Sequence, residues 1–201
     1  YMHAALGLRY LYANLGELQP IACIEEFSIQ QRPIDIAEKL LKHHPIIIGF
    51  GVYVWNVDEV TKTVALLKQI SPKTAIVLGG PEVSHFPDKP AVVDSADYVV
   101  ICVTLTKETA NIIGARELGL MKKDAFLINS SRGGIVDEEA LYDYLSKGRI
   151  AGAALDVFLK EPPLPDHPLF SLDNFIGTPH VAGGTVEAMQ RMATTCAEEI
   201  L

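Results

Sequence analysis

Two side chains in the second half of the chain have the chemistry to act on a small carboxylic acid. Arg132 carries a planar guanidinium fork, which can hold a carboxylate through two parallel hydrogen bonds and polarise a neighbouring ketone. His180 carries an imidazole, the side chain best suited to proton transfer near neutral pH. Each residue alone also has a structural explanation, because a loop arginine is often a surface ion pair and a histidine after proline is often a simple loop residue.

A second set of candidates follows two strand-like runs of the first half. The rings of Tyr53 and Trp55 offer flat apolar surface, and the amide of Asn56 lies beside them in sequence. A glycine turn follows the second run, and glycines let the backbone approach a bulky ligand closely. The candidates in this turn are Gly79, Gly80, Pro81, Glu82 and Ser84. The structural alternatives are an ordinary turn and rim packing of the single tryptophan.

A glycine-rich loop for a dinucleotide is missing from the sequence. No Gly-x-Gly-x-x-Gly occurs, and Gly49-Phe50-Gly51 lies within a strand-like run with Val54 where the third glycine belongs. Dinucleotides rest their pyrophosphate on such a turn at a helix N-terminus. We therefore expect that no cofactor is required and that NAD(P) does not bind.

The elements that must position these residues alternate between short β-branched runs and amphipathic helical stretches. This rhythm predicts an α/β fold, a three-layer α/β/α doubly wound parallel sheet. Strands are predicted near 22–30, 46–54, 74–78, 98–104, 125–129, 151–157 and 174–177. Helices are predicted near 4–15, 33–42, 56–70, 108–121, 137–147 and 185–200. No long linker separates the halves, so residues 1–201 are predicted to form a single domain.

Composition narrows the classes of partner. The net charge is −8 without a basic stripe, which argues against nucleic acid, and no apolar run is long enough for a membrane span. Cys23, Cys102 and Cys196 are odd in number and widely spaced, so we predict reduced core thiols in a cytoplasmic protein. A monomer or weak homodimer is expected.

Residues 97–201 closely resemble the C-terminal part of the nucleotide-binding domain of D-2-hydroxyacid dehydrogenases, a group that includes glyoxylate and phosphoglycerate dehydrogenases. The resemblance is carried by LTKETANIIGARELGLMKKDAFLINSSRGGIVDEEAL, AGAALDVFLKEPP and NFIGTPHVAGGT, in family order and spacing. It implies that Arg132 holds the acid, that His180 donates the proton, and that Glu161 orients the imidazole. It also implies that Asp156 contacts the nicotinamide amide.

Residues 1–98 resemble the cobalamin-binding domain found ahead of radical S-adenosylmethionine modules. The likeness is carried by YMHAALGLRYLYANL, IIIGFGVYVWNVDEV, TAIVLGGPEVS and ADYVV. It implies a flavodoxin-like half with a corrinoid across the carboxyl edge of the sheet. The loops at Tyr53–Asn56 and Gly79–Ser84, and the helix start near His3, would then contact the cofactor.

The two resemblances together predict a chimera, engineered or recombined, in which a flavodoxin-like half (1–95) is fused to a Rossmann-like half (96–201). The two parental sheets would join near residues 90–100 into one sheet of seven or eight strands. The main interpretation is a fold without a complete active site and without catalytic turnover. Two alternatives stay open: a module that retains cobalamin, and a residual NAD(P)-dependent 2-hydroxyacid dehydrogenase of the glyoxylate reductase type.

Overall fold

The computed structural model describes residues 6–80 and 94–200, and a parallel six-stranded sheet forms its centre. The spatial order of the strands is their order in the chain, β1-β2-β3-β4-β5-β6. The strands are β1 Ile47–Gly51, β2 Ala75–Gly79, β3 Tyr98–Ile101, β4 Phe126–Asn129, β5 Gly152–Leu155 and β6 Phe175–Gly177. The architecture is the predicted three-layer α/β/α arrangement and is Rossmann-like.

The helices in the described residues are α1 Leu6–Ala13, α2 Pro33–Leu41, α3 Val57–Ile70, α4 Ala115–Leu118, α5 Glu138–Ser146 and α6 Val186–Ile200, with 3₁₀ turns at Gly16–Ile21 and Pro168–Ser171. Two of them begin at positions that the sequence marks, α2 at a proline and α5 at a capping aspartate. Pro33 occupies the first turn of α2, where a missing amide hydrogen costs nothing. Asp137 caps α5 by accepting hydrogen bonds from the amides of Glu139 and Ala140.

Alternate strand residues show which face of the sheet holds the main core. Ile76, Val99 and Leu127 are fully buried on one face. Side chains on the opposite face are only partly covered, and Tyr98 stacks on Phe126 there with ring centroids 5.4 Å apart. The period of two expected for a parallel strand therefore positions a dense core on one side of the sheet.

A partly buried carboxylate ties the two halves of the sheet where the sequence predicts a join. Asp97 accepts hydrogen bonds from the ammonium groups of Lys68 and Lys122, both at 2.6 Å, and from the amide of Ile76 at 2.7 Å. Burial raises the pKa of Asp97, but the two lysines and the amide outweigh it and lower that pKa below its ordinary value. β2 and β3 are thus held together by an ion network as well as by their backbone ladder.

Several local predictions are wrong. The 22–30 segment forms no strand and ends in a turn at residues 29–30, and six strands form in the described ranges where seven or eight were expected. Of the helix predicted over 108–121, only the four-residue α4 forms. Thr106 and Thr109 hydrogen-bond each other in a turn, and Asn111 has a φ of 51°, so residues before α4 do not continue a helix. The three cysteines, expected in the core, are free and exposed.

In the part of the chain described, no helix is long and apolar enough to cross a membrane.

Candidate active site

The turn after β4 carries Arg132 and is shaped by a buried asparagine. Asn129 is 1% exposed, and its side-chain oxygen accepts hydrogen bonds from the amide and the hydroxyl of Ser131. Its amide nitrogen donates to the carbonyl of Arg132 at 3.0 Å. These bonds fix the backbone on both sides of Arg132, whose own side chain is exposed at the carboxyl edge of the sheet.

Two glycines bring this turn against the loop that follows β5. A Cβ added to Gly133 would lie 1.8 Å from the carbonyl oxygen of Phe158, so no other residue fits there. Gly134 has a φ of 78°, a conformation that favours glycine. The Arg132 turn and the loop after β5 therefore pack directly against each other, which brings two predicted site elements together.

Asp156 follows β5, and its buried carboxylate accepts three hydrogen bonds from the segment after β6. Oδ1 accepts from the Thr178 hydroxyl at 2.5 Å and from the Val181 amide at 2.9 Å, and Oδ2 accepts from the Ala182 amide at 2.8 Å. Burial raises the pKa of Asp156, but these donors outweigh it and hold the pKa below its ordinary value. Asp156 is therefore an anion at neutral pH.

His180 pairs with Glu161 at the exposed end of this segment. The imidazole Nδ1 lies 2.8 Å from Glu161 Oε2, while Oε1 of the same carboxylate accepts a hydrogen bond from the Phe158 amide. The bond from His180 and then that from Phe158 lower the pKa of Glu161. A carboxylate can only accept, so the Nδ1 proton points to Glu161, and Nε2 has no hydrogen-bond partner among the described residues.

A second histidine–glutamate pair, which sequence reasoning missed, lies beside the first. His167 Nε2 lies 3.1 Å from Glu138 Oε2, and Oε1 of Glu138 accepts a hydrogen bond from the Leu159 amide. The His167 ring also contacts Phe158 and Phe170 edge-on or tilted, with centroids 5.6 Å apart in both cases. Because Glu138 begins α5, this pair anchors the loop that carries Glu161 to a helix.

The first-half candidates lie at the same edge of the sheet, since they follow β1 and β2. Tyr53 and Trp55 stack with centroids 4.7 Å apart, and Trp55 is exposed. Asn56 precedes α3 but does not cap it with its side chain, because that amide bonds the Tyr53 amide and the Gly51 carbonyl instead. His3, Pro81, Glu82 and Ser84 lie outside the described residues.

The glycine turn after β2 has an explanation within the chain itself. Gly80 has a φ of 111°, and a Cβ there would lie 2.4 Å from the carbonyl oxygen of Val52. The amide of Val52 in turn donates to the Gly79 carbonyl at 2.7 Å. The close approach that these glycines allow is thus to the neighbouring turn after β1, and no ligand is needed to explain it.

A parallel Rossmann-like sheet with charged and polar groups at its carboxyl edge defines a nucleotide-binding type of domain. Residues 46–182 match the family described as D-isomer specific 2-hydroxyacid dehydrogenase, NAD binding domain. The chain belongs to this family. The match begins inside the first half and crosses the predicted join near residue 95.

Relatives and solved structures agree with this family. The chain is 49% identical over 117 residues to a glyoxylate reductase of Thermofilum pendens, covering 58% of this chain and 34% of that protein. It is 50% identical over 105 residues to a D-3-phosphoglycerate dehydrogenase of Methanocaldococcus jannaschii, covering 52% and 20%. The NAD-complexed D-isomer specific 2-hydroxyacid dehydrogenase of Lactobacillus delbrueckii ssp. bulgaricus superposes with a TM-score of 0.54 and 27% identity, covering 76% and 51%. The chain thus spans about half the length of that structure, about a third of the glyoxylate reductase and about a fifth of the phosphoglycerate dehydrogenase.

These findings correct two predictions. The chimera without turnover is wrong, because the family match runs through the half assigned to a cobalamin-binding domain, and nothing in the comparisons supports a corrinoid-binding part. The expectation that no cofactor is required and that NAD(P) does not bind is also wrong, because the matched family is an NAD-binding domain and a solved neighbour holds NAD.

Proposed function

We propose that this chain is the cofactor-binding and proton-donating part of an NAD(P)-dependent oxidoreductase that interconverts 2-keto acids and 2-hydroxy acids. The observation that carries the proposal is the His180–Glu161 pair at 2.8 Å, which uses Nδ1 and leaves Nε2 of the exposed imidazole without a hydrogen-bond partner among the described residues. A histidine held by a carboxylate through one ring nitrogen exchanges protons through the other. Family membership supplies the second, independent support.

The residues at this edge divide the chemistry between them. His180 donates a proton to the ketone oxygen during reduction and accepts it from the hydroxyl in the reverse direction. Glu161 stays ionised, because the His180 and Phe158 bonds lower its pKa, and so stabilises the protonated imidazole. Arg132 supports the substrate carboxylate with its guanidinium fork, on a turn fixed by Asn129.

The donor set at the carboxyl edge fits a nicotinamide dinucleotide. When bound, the nicotinamide supplies the hydride that the ketone carbon receives. Oδ2 of Asp156 accepts only the Ala182 amide within the described residues and keeps a lone pair for a carboxamide, the contact that the family resemblance implies. The exposed Tyr53–Trp55 stack and the first turn of α3 lie at the same edge and would hold the adenosine and phosphate end.

The substrate class follows from the site and from the relatives. A single arginine fork with one proton donor suits a small acid with an adjacent ketone, and the similar proteins include glyoxylate reductases. Glyoxylate is therefore the first substrate to test. We further propose that residues 1–201 act as one unit in the cytoplasm, supported by the continuous sheet and the free cysteines.

The test measures the rate of NADH and NADPH oxidation with glyoxylate in the wild-type protein, Arg132→Ala and Arg149→Ala. Arg149 is the matched control, because its guanidinium lies over the Tyr144 ring, away from the carboxyl edge. We expect Arg132→Ala to raise KM for glyoxylate and to lower kcat/KM by about 10²-fold, from the loss of a charge-assisted bidentate contact. Arg149→Ala should retain the wild-type value. Equal activity in all three proteins would show contamination and would refute the assignment.

A further inference from the structure

The segment that carries His180 is exposed, and several of its hydrogen bonds go to one residue. Residues 178–184, which follow the three-residue strand β6, are all exposed to solvent. The backbone of Asp156 accepts the His180 amide at 2.8 Å, and its carboxylate accepts the Thr178 hydroxyl and the amides of Val181 and Ala182. Four hydrogen bonds from this segment therefore converge on Asp156.

The backbone conformation of His180 explains why these hydrogen bonds to Asp156 are needed. Its φ is 56°, in the left-handed region that residues other than glycine rarely adopt. Strain of this kind persists only where the surrounding bonds determine the conformation. The amide of His180 and the amides of the two residues after it all donate to Asp156, so this aspartate holds the strained turn.

We propose that Asp156 is a positioning residue for His180, acting with Thr178 as a clamp on the 178–182 turn. The proposal rests on the proposed function of His180 as proton donor. It is distinct from the nicotinamide contact implied by the family resemblance, because Oδ1 is fully used by Thr178 and Val181. The two roles are compatible, since Oδ2 has one lone pair left.

The clamp can be loosened without touching the charge of Asp156. Thr178→Val is nearly isosteric and removes the hydroxyl donor, whereas Thr178→Ser keeps it as the matched control. With His180 free to leave its position, we expect Thr178→Val to lower kcat by about tenfold to a hundredfold, because a small misplacement of a catalytic group has such effects. KM for NADH should change less than about twofold, and Thr178→Ser should restore kcat.

A second readout does not depend on turnover. Amide hydrogen exchange at Val181 and Ala182 should quicken in Thr178→Val by about tenfold, as their shared acceptor becomes mobile, and should return to the wild-type rate in Thr178→Ser. The clamp is overturned if exchange stays at the wild-type rate, or if exchange quickens while kcat is unchanged. A wild-type protein without turnover would refute the proposed function, and exchange alone would then decide the clamp.

Discussion

Two of the histidine–glutamate pairs in the described part of the chain, His180–Glu161 and His167–Glu138, have similar distances but different roles. A third pair, His43–Glu25, lies on the exposed surface just after α2. His180 and Glu161 are separated by 2.8 Å, and His167 and Glu138 by 3.1 Å. The His180 side chain is 47% exposed and the His167 side chain 21%. The contact between a histidine and a carboxylate is therefore not enough to mark a catalytic residue.

The difference lies in the second ring nitrogen. Nδ1 of His167 accepts the amide of Leu169 at the start of a 3₁₀ turn, so its proton lies on Nε2 and is donated to Glu138. Both nitrogens of His167 are thus used by the fold. His180 uses only Nδ1 among the described contacts, and its backbone is held in a strained conformation by Asp156. One pair stabilises a loop, whereas the other leaves a nitrogen for chemistry.

The first prediction concerns variants in which the carboxylate of each pair, Glu161 or Glu138, is replaced by an amide. Glu161→Gln should lower kcat by about 10- to 100-fold, because a glutamine amide can donate to Nδ1 and then favours the opposite tautomer of His180. Glu138→Gln should leave kcat within about twofold and lower the unfolding free energy by about 1 kcal/mol, the value of an ordinary hydrogen bond. Steady-state kinetics and urea unfolding on both variants check this. Equal losses of kcat would remove the distinction between the pairs.

A smaller effect concerns the carboxylate clamp next to His180. The folded pKa of Asp156 is lowered, so its stabilising effect is complete above the unfolded value of about 3.9 and is lost as pH falls through the folded value. Asp156→Asn should therefore lower the unfolding free energy at neutral pH by about 1–3 kcal/mol. Urea unfolding at a series of pH values should show that this difference shrinks below about pH 4. A constant difference across pH would contradict the assignment of these bonds to an ionised carboxylate.

Much of the second half could be predicted from the sequence, because its elements are specified locally. Short apolar runs predict β3 to β6, and the polar residues that follow them must meet at the carboxyl edge, where Arg132 and Asp156 are found. Glu161 and His180 are 19 residues apart, and only the family resemblance indicated their pairing. Thr178 and Asn129 were not singled out, although polar residues at strand ends could have indicated both.

The first half misled because one glycine was missing from a pattern. Gly49 and Gly51 lie within β1, and Val54 stands where a third glycine would complete the Gly-x-Gly-x-x-Gly pattern, so the sequence carries no complete dinucleotide motif. The sequential strand order and the second histidine pair depend on contacts between distant segments, such as Glu138 with His167. Patterns of period two or 3.6 carry no information on such contacts.

The central claim is that His180 is the proton donor of a reduction by NAD(P)H, and single-turnover kinetics test it most directly. Trp55 is the single tryptophan and lies at the carboxyl edge, so energy transfer from it to NADH reports cofactor binding separately from chemistry. We predict that His180→Gln binds NADH within about twofold of wild type but oxidises it with glyoxylate about 10²- to 10⁴-fold more slowly, while His167→Gln matches wild type. Wild-type rates in His180→Gln with NADH bound would contradict the account.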